Sequence, residues 1–384
     1  MTPATGPASG PVGTTGVGGV LTAEHPRSVV VLRALPGLGD LLCAVPALRA
    51  LRHALPGAHL ALLGLPAARA VLAHVGPYVD EVLDAAGWPG LPESPLRDPG
   101  ETLAGLGAAQ RRRFDLALQL HGSGLVTNPL VSLLGAARTA GSYLPGQWCP
   151  DPETFVPYPA DQPEVRRLLA VVTHLGAPAR GEHLEWRVSE ADRGEARALL
   201  RDALGAPDAA YAVVHPGAST ATRRWPAERF AAVADALAAA GLRVVLTGTE
   251  AERPTTARVR SAARTAPRDL AGATSLGALA ALVAGARLVV SNDTGAAHLA
   301  TALRAPSVVV FTGSDPWRWT PSDRGRHHVV VDPPEPPRPW LRPDGARRCL
   351  GEGCVAPDAG LRLRPPPVGA VLAAVEEALA VAPS

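Results

Sequence analysis

Three short segments carry the residue types that chemistry needs. Pro36-Gly37-Leu38-Gly39-Asp40 sets a carboxylate directly after two glycines. Gly37 and Gly39 allow backbone to come close to a ligand at a helix N-terminus. Asp40 stands there either as the N-cap of a helix beginning at Leu41 or as a base that takes a proton from a hydroxyl. The segment His215-Pro216-Gly217-Ala218-Ser219-Thr220-Ala221-Thr222-Arg223-Arg224-Trp225-Pro226 joins small hydroxyl residues and backbone amides to two arginines. That combination suits a diphosphate, because amides and guanidinium groups both bind phosphate oxygens. An ordinary strand-to-helix loop with solvated arginines accounts for it equally well when it is taken alone. Asn292-Asp293-Thr294-Gly295-Ala296-Ala297-His298 opens a further helix. Asp293 is expected to cap it, the amides of Thr294 and Gly295 face an anion, and His298 lies one turn on, on the side of Thr294.

Other chemistries are disfavoured. The first glycine turn is not G-x-G-x-x-G, since Leu42 stands at the third glycine position, which argues against a dinucleotide oxidoreductase. No two aspartates lie two apart anywhere in the chain. A transferase with a nucleotide-diphosphate leaving group would then neutralise developing charge with cations and helix N-termini, without a metal or other cofactor. Four cysteines, Cys43, Cys149, Cys349 and Cys354, are too few and scattered for a disulfide framework. Cys349 and Cys354 lack the second pair a zinc site needs and are expected to be free thiols.

The three segments need elements to hold them. Ser28–Leu32 is a continuous apolar, β-branched run, as expected of a buried parallel strand, and helical spacing follows over Leu41–Leu55. Leu60–Leu63, Val79–Leu83 and Phe114–Leu120 continue a strand–helix alternation. A second alternation starts with strand Tyr211–His215 and runs through Leu242–Gly248 and Ala286–Asn292 to Ser307–Phe311. Helices are expected over residues 227–240, 250–265, 276–284 and 295–303. Such alternation implies open parallel α/β sheets, here two Rossmann-like domains facing across a cleft. Helices over 164–175 and 190–204 fall between them, and an amphipathic helix over 368–381 ends the chain.

Composition bounds the rest. In 384 residues the 37 basic side chains are all arginine, against 35 acidic ones, a formal charge of +2. That balance disfavours a nucleic-acid partner. The first 27 residues lack the basic and apolar regions of a signal peptide and are expected to form a disordered tail. With no apolar run long enough to span a bilayer, the expectation is a soluble cytoplasmic protein, peripheral contact with a membrane surface remaining open.

Together the segments VVVLRALPGLGDLLCAVPALRALRHALPGAHL, HPGASTATRRWPAERF and DLAGATSLGALAALVAGARLVVSNDTGAAHLATAL resemble glycosyltransferase family nine, the ADP-heptose:lipopolysaccharide heptosyltransferase-like enzymes. The resemblance implies a GT-B fold and an inverting, metal-independent transfer of a sugar from a nucleotide-diphosphate donor, ADP-heptose foremost, to a glycan or glycolipid hydroxyl. A different sugar on a secondary-metabolite or cell-wall acceptor, or a nucleotide-sugar-binding homologue without turnover, are the alternatives. By the resemblance Asp40 is the general base and Ser219 lies near the donor phosphates. Arg223 stands where the family usually has a phosphate-binding lysine. Glu252, or Glu250 beside it, faces the donor's nucleoside, while Asp293, Thr294, Gly295 and His298 hold the donor sugar and diphosphate. The implied division is a tail (1–27), an acceptor-side domain (28–185), a donor domain (186–331), and a Pro-rich segment with a last helix (332–384) that packs back on the first domain.

Overall fold

The computed structural model describes residues 19–85, 87–88, 91, 98–206, 209–333 and 363–380. Cys349, Cys354, the tail up to residue 18 and most of the Pro-rich segment lie outside them. The first part of the chain runs α1 (Val20–Glu24), β1 (Ser28–Leu32), α2 (Leu38–Ala54), β2 (His59–Gly64), α3 (Ala68–Leu72) and β3 (Glu81–Asp84). It continues with α4 (Pro99–Arg111), β4 (Leu116–Gln119), α5 (Thr127–Leu133), β5 (Arg138–Tyr143) and β6 (Phe155–Pro157). Two connecting helices follow, α6 (Glu164–His174) and α7 (Glu190–Leu204).

The second part runs β7 (Tyr211–His215), α8 (Ala227–Ala239), β8 (Arg243–Leu246), α9 (Arg253–Ala262), β9 (Arg268–Asp269) and α10 (Leu276–Gly285). Then come β10 (Leu288–Asn292), α11 (Gly295–Ala302), β11 (Ser307–Val310), α12 (Pro316–Trp319), β12 (His327–Val330) and α13 (Val368–Ala380).

These strands build two six-stranded sheets, β3-β2-β1-β4-β5-β6 and β12-β11-β10-β7-β8-β9, in which every pairing is parallel. Val29–Leu32 and all of β7 and β10 are buried, as strands covered on both faces must be. In each sheet the order reverses between two central strands, β1 and β4 in one and β7 and β10 in the other. Ligands bind in the crevice at the carboxyl ends of strands at such a reversal. The turns after β1, β7 and β10 are the three segments singled out in the sequence.

Helices fill the space between the lobes. Leu42 and Leu48 of α2, Leu168 of α6, Leu282 of α10 and Leu299 of α11 belong to one apolar cluster that runs from lobe to lobe. Each fully buried leucine of this kind contributes roughly 1.5–3 kcal/mol. Among the described residues no helix is long and apolar enough to cross a membrane.

Two expectations need correction. Part of the segment expected as a tail is ordered: α1 buries Leu21, whose amide donates to the Leu175 carbonyl at 3.0 Å. The last helix does not return to the first lobe. Val371, Val375 and Ala378 are buried in the second lobe's core with Val308, Val310 and Phe230. Polar contacts hold the segment there. Trp225 Nε1 donates to the Pro366 carbonyl at 2.9 Å, and the Arg287 guanidinium donates to the Leu379 carbonyl at 2.7 Å.

Candidate active site

Asp40 lies inside α2 rather than at its cap. The helix begins at Leu38 with Gly37 as N-cap and no side-chain cap, so Asp40 falls in the first turn. Its carboxylate folds back over Gly37 and occupies the space a β-carbon there would fill. The capping alternative is therefore excluded, and the side chain is left for other work.

Burial raises the proton affinity of Asp40, and the Arg33 guanidinium opposes that effect. Arg33 is fully buried just beyond the end of β1, with Nη2 3.7 Å from Asp40 Oδ1. The same Nη2 donates to the Asp40 carbonyl at 2.9 Å and to Glu164 Oε1 at 3.0 Å, and Nη1 donates to the Leu120 carbonyl at 2.7 Å.

The turn after β10 faces Asp40 from the other lobe. Here too the expected cap is wrong: Thr294 is the N-cap of α11, without a side-chain cap bond, and Asp293 precedes it. Asp293 is buried, with Oδ1 3.8 Å from His298 Nε2. Burial lowers the proton affinity of His298, and Asp293 only partly offsets it, so the imidazole is neutral around pH 7. Gly39 lies against the His298 ring so closely that a β-carbon would overlap Cδ2, and a β-carbon on Gly295 would come 2.9 Å from Leu38 Cβ. The first turns of α2 and α11 thus meet across the lobes. Among the described residues the buried Thr294 Oγ1 has no hydrogen-bond partner.

The loop after β7 is pinned by Asn292 at the end of β10. The Asn292 amide donates to the carbonyls of Pro216 and Gly217 at 2.9 and 3.1 Å, and its oxygen accepts from the Trp225 amide at 3.0 Å. Ser219 is exposed. The two arginines separate. Arg224 Nε donates to the Ala218 carbonyl at 3.0 Å within its own loop. The charge of Arg223 lowers the proton affinities of both Asp40 and His298.

The two glutamates separate as well. Glu252 Oε2 accepts from the Thr249 amide at 2.7 Å and from Thr249 Oγ1 at 3.0 Å, and its carboxylate lies against Gly217. Glu250 points outward, 74% exposed, and pairs with Arg253 at 2.8 Å.

Arg33, Glu164 and Arg318 carry no role in the sequence analysis, and Asn292 stands there only as the first residue of its segment. A charged residue directly after the apolar run of β1 is the one available signal for Arg33. Glu164 and Arg318 meet from 154 positions apart and leave no local trace. Beside this site a cavity of about 730 Å³ is lined by Cys43, His298, Trp317, Arg318 and Trp319; Asp40, Ser219 and Arg223 do not line it.

Two lobes of parallel sheet that meet at the carboxyl edges of their central strands, with the Asp40 carboxylate on one side and the start of α11 on the other, match the GT-B class of architecture. Residues 111–338 match the family model described as glycosyltransferase family 9 (heptosyltransferase), and the chain belongs to that family.

Among known proteins it is 34% identical over 106 residues to lipopolysaccharide heptosyltransferase 2 of Escherichia coli, a stretch covering 26% of this chain and 30% of that protein. It is 33% identical over 150 residues to lipopolysaccharide heptosyltransferase 1 of Pseudomonas aeruginosa, covering 38% and 40%. The matched stretches thus span well under half the length of these relatives. The fold is similar to the structure of E. coli ADP-heptose lps heptosyltransferase II, with a TM-score of 0.64 at 20% identity, covering 92% of this chain and 98% of that one. It is also similar to E. coli heptosyltransferase WaaC with ADP, with a TM-score of 0.57 at 23% identity, covering 79% and 92%.

Proposed function

We propose that the protein is an inverting, metal-independent glycosyltransferase that moves a sugar from a nucleotide diphosphate, ADP-heptose foremost, to a hydroxyl of a glycan or glycolipid. The observation that supports this reading most is the packing of Gly39 against His298. It sets the first turn carrying Asp40 directly opposite the helix start that would hold the donor's diphosphate.

In this reading residues 28–185 serve the acceptor and residues 186–331 the donor. Asp40 takes the proton from the acceptor hydroxyl as that oxygen attacks the anomeric carbon from the face opposite the diphosphate, which inverts the centre. Its buried, raised proton affinity makes it a better base than an exposed carboxylate. Negative charge builds on the departing diphosphate. Arg223, the N-terminus of α11 and the unpartnered Thr294 Oγ1 are the groups that would meet it, with Ser219 at the loop's edge. The neutral His298 and Asp293 shape the sugar subsite. Glu252 rather than Glu250 faces the nucleoside, because it alone points at the Gly217 loop.

Incubation with ADP-heptose and a lipopolysaccharide inner-core acceptor, followed by ADP release, tests the reading. Release that Asp40→Ala abolishes supports it. Donor binding without release, unchanged by that substitution, supports a nucleotide-sugar-binding homologue instead. That second reading rests on Arg223, since guanidinium and ammonium bind phosphate with different geometry.

A further inference from the structure

Arg33 Nη2 lies 3.7 Å from Asp40 Oδ1, and the charges of Arg33 and Arg318 both lower the proton affinity of that carboxyl group. A carboxylate locked to an arginine is a poor base, because the cation stabilises its ionised form. The geometry shows what prevents this. Glu164 is the first residue of α6, with its side chain 3% exposed, and it offers one carboxylate oxygen to each arginine. Oε1 accepts from Arg33 Nη2 at 3.0 Å, and Oε2 accepts from Arg318 Nε at 2.8 Å. Asp40 is left with a longer approach to Arg33, 3.7 Å from Nη2 to Oδ1. Arg33 comes from the first lobe and Arg318 from the second, so Glu164 gathers a cation from each side.

We propose that Glu164 is a positioning residue that keeps Asp40 available as a base by engaging Arg33 and Arg318, the two cations that would otherwise pair with it. The proposal rests on Asp40 being the base.

The neighbourhood is consistent with this. Asp40 is faced by Arg33 beyond β1, Glu164 of α6, Arg318 of α12 and Arg223 of the loop after β7, with Cys43 one turn further along α2. Of these charged groups, Glu164 alone raises the proton affinity of Asp40, while the three arginines lower it. Glu164 is itself surrounded by Arg318, Arg33 and Arg167, with His121, Cys43 and His298 further off. Burial works against its charge, but the three arginines hold it ionised well below the ordinary carboxylate range.

The test is the titration of Asp40 in the full-length protein, read by difference infrared spectroscopy against Asp40→Asn. Glu164→Gln keeps the shape and frees both arginines, so the Asp40 titration should move to lower pH. Arg318→Met removes one cation, so it should move to higher pH. Shifts of opposite sign support the proposal; no shift, or shifts of the same sign in folded variants, overturn it. Should Glu164→Gln not fold, Arg318→Met decides alone, an unmoved or lowered titration being the overturning result. In turnover, Glu164→Gln should lower kcat about tenfold with little change in donor KM, the mark of a weakened base. Because the infrared reading needs no turnover, opposed shifts in a protein that releases no ADP would remove the role of Asp40 as base and leave the link to Glu164 standing.

Discussion

Gly217 lies directly against the carboxylate of Glu252, with no room for a β-carbon between them. The carboxylate is not free to swing aside, because the amide and hydroxyl of Thr249 both donate to it. Gly217→Ala must break those bonds or displace the loop after β7. ADP affinity measured by calorimetry should fall about tenfold, as should that of Glu252→Gln, since each loses a charge-assisted hydrogen bond. Glu250→Gln, altering an exposed side chain, should bind ADP unchanged; an equal loss there would move the nucleoside contact to Glu250.

Asp40→Ala should lower kcat by roughly 10²- to 10⁴-fold, the usual contribution of a positioned base. ADP affinity should stay as in the wild type, since Asp40 belongs to the first lobe and the residues assigned to the donor to the second. Because burial raises its proton affinity, activity should be lost on acidification through a midpoint above the ordinary value of 3.8. A pH–rate profile whose acid limb survives the substitution would assign that limb elsewhere.

Arg223 is the cation felt at both Asp40 and His298. Arg223→Ala should weaken ADP binding by about tenfold, or about 1.4 kcal/mol. Arg223→Lys should retain turnover, in keeping with a chain in which every basic residue but histidine is arginine. Arg224→Ala, on the loop's own backbone, should leave ADP affinity near the wild-type value.

Gly39→Ala pushes a methyl group into the His298 ring, which cannot bend away as a flexible chain would. Overpacking of this sort costs roughly 1–3 kcal/mol. Thermal unfolding should show a lowered Tm for Gly39→Ala and partial recovery when His298→Ala is added. Recovery is the informative outcome, because a backbone effect confined to α2 would persist in the double variant.

Acid should destabilise the fold through two buried histidines. Burial lowers His121 from the ordinary 6.5 to about 3, and His327, bonded to Ser307 Oγ at 2.8 Å, to about 4. For a base with a depressed folded value, stability is whole above 6.5 and falls as pH drops from there toward the folded value. Each histidine steepens that fall by up to ~1.4 kcal/mol per pH unit. Chemical denaturation between pH 7 and 4 should show a shallower decline for His327→Gln than for the wild type.

What could be read from the sequence depended on where contacts close. β1, β7 and β10 are central strands buried on both faces, so Val29–Val31 and Val289–Val290 stand out as apolar runs. The edge strands β6 and β9, of three and two residues, carry no such pattern and went unrecognised. The site loops were legible because each follows its strand directly. Cap assignments at Asp40 and Asp293 failed because Gly37 and Thr294 start the helices earlier and later than the apolar spacing suggests. The pairing of Glu164 with Arg318 had no sequence signature, since only the docking of two lobes creates it.

The placement of α13 reaches beyond packing. Because the last helix stays on the second lobe, and residues 332 and 364 are bridged there, the described chain passes from one lobe to the other once, between α6 and α7. The lobes are therefore joined like two pages at one stitch. Among the described residues a swivel of one on the other stretches no second covalent strap, and it would have to slide past the seam where Gly39 meets His298 and Leu38 meets Gly295. The two glycines let the lobes come that close there, so a side chain added at either would hold them further apart.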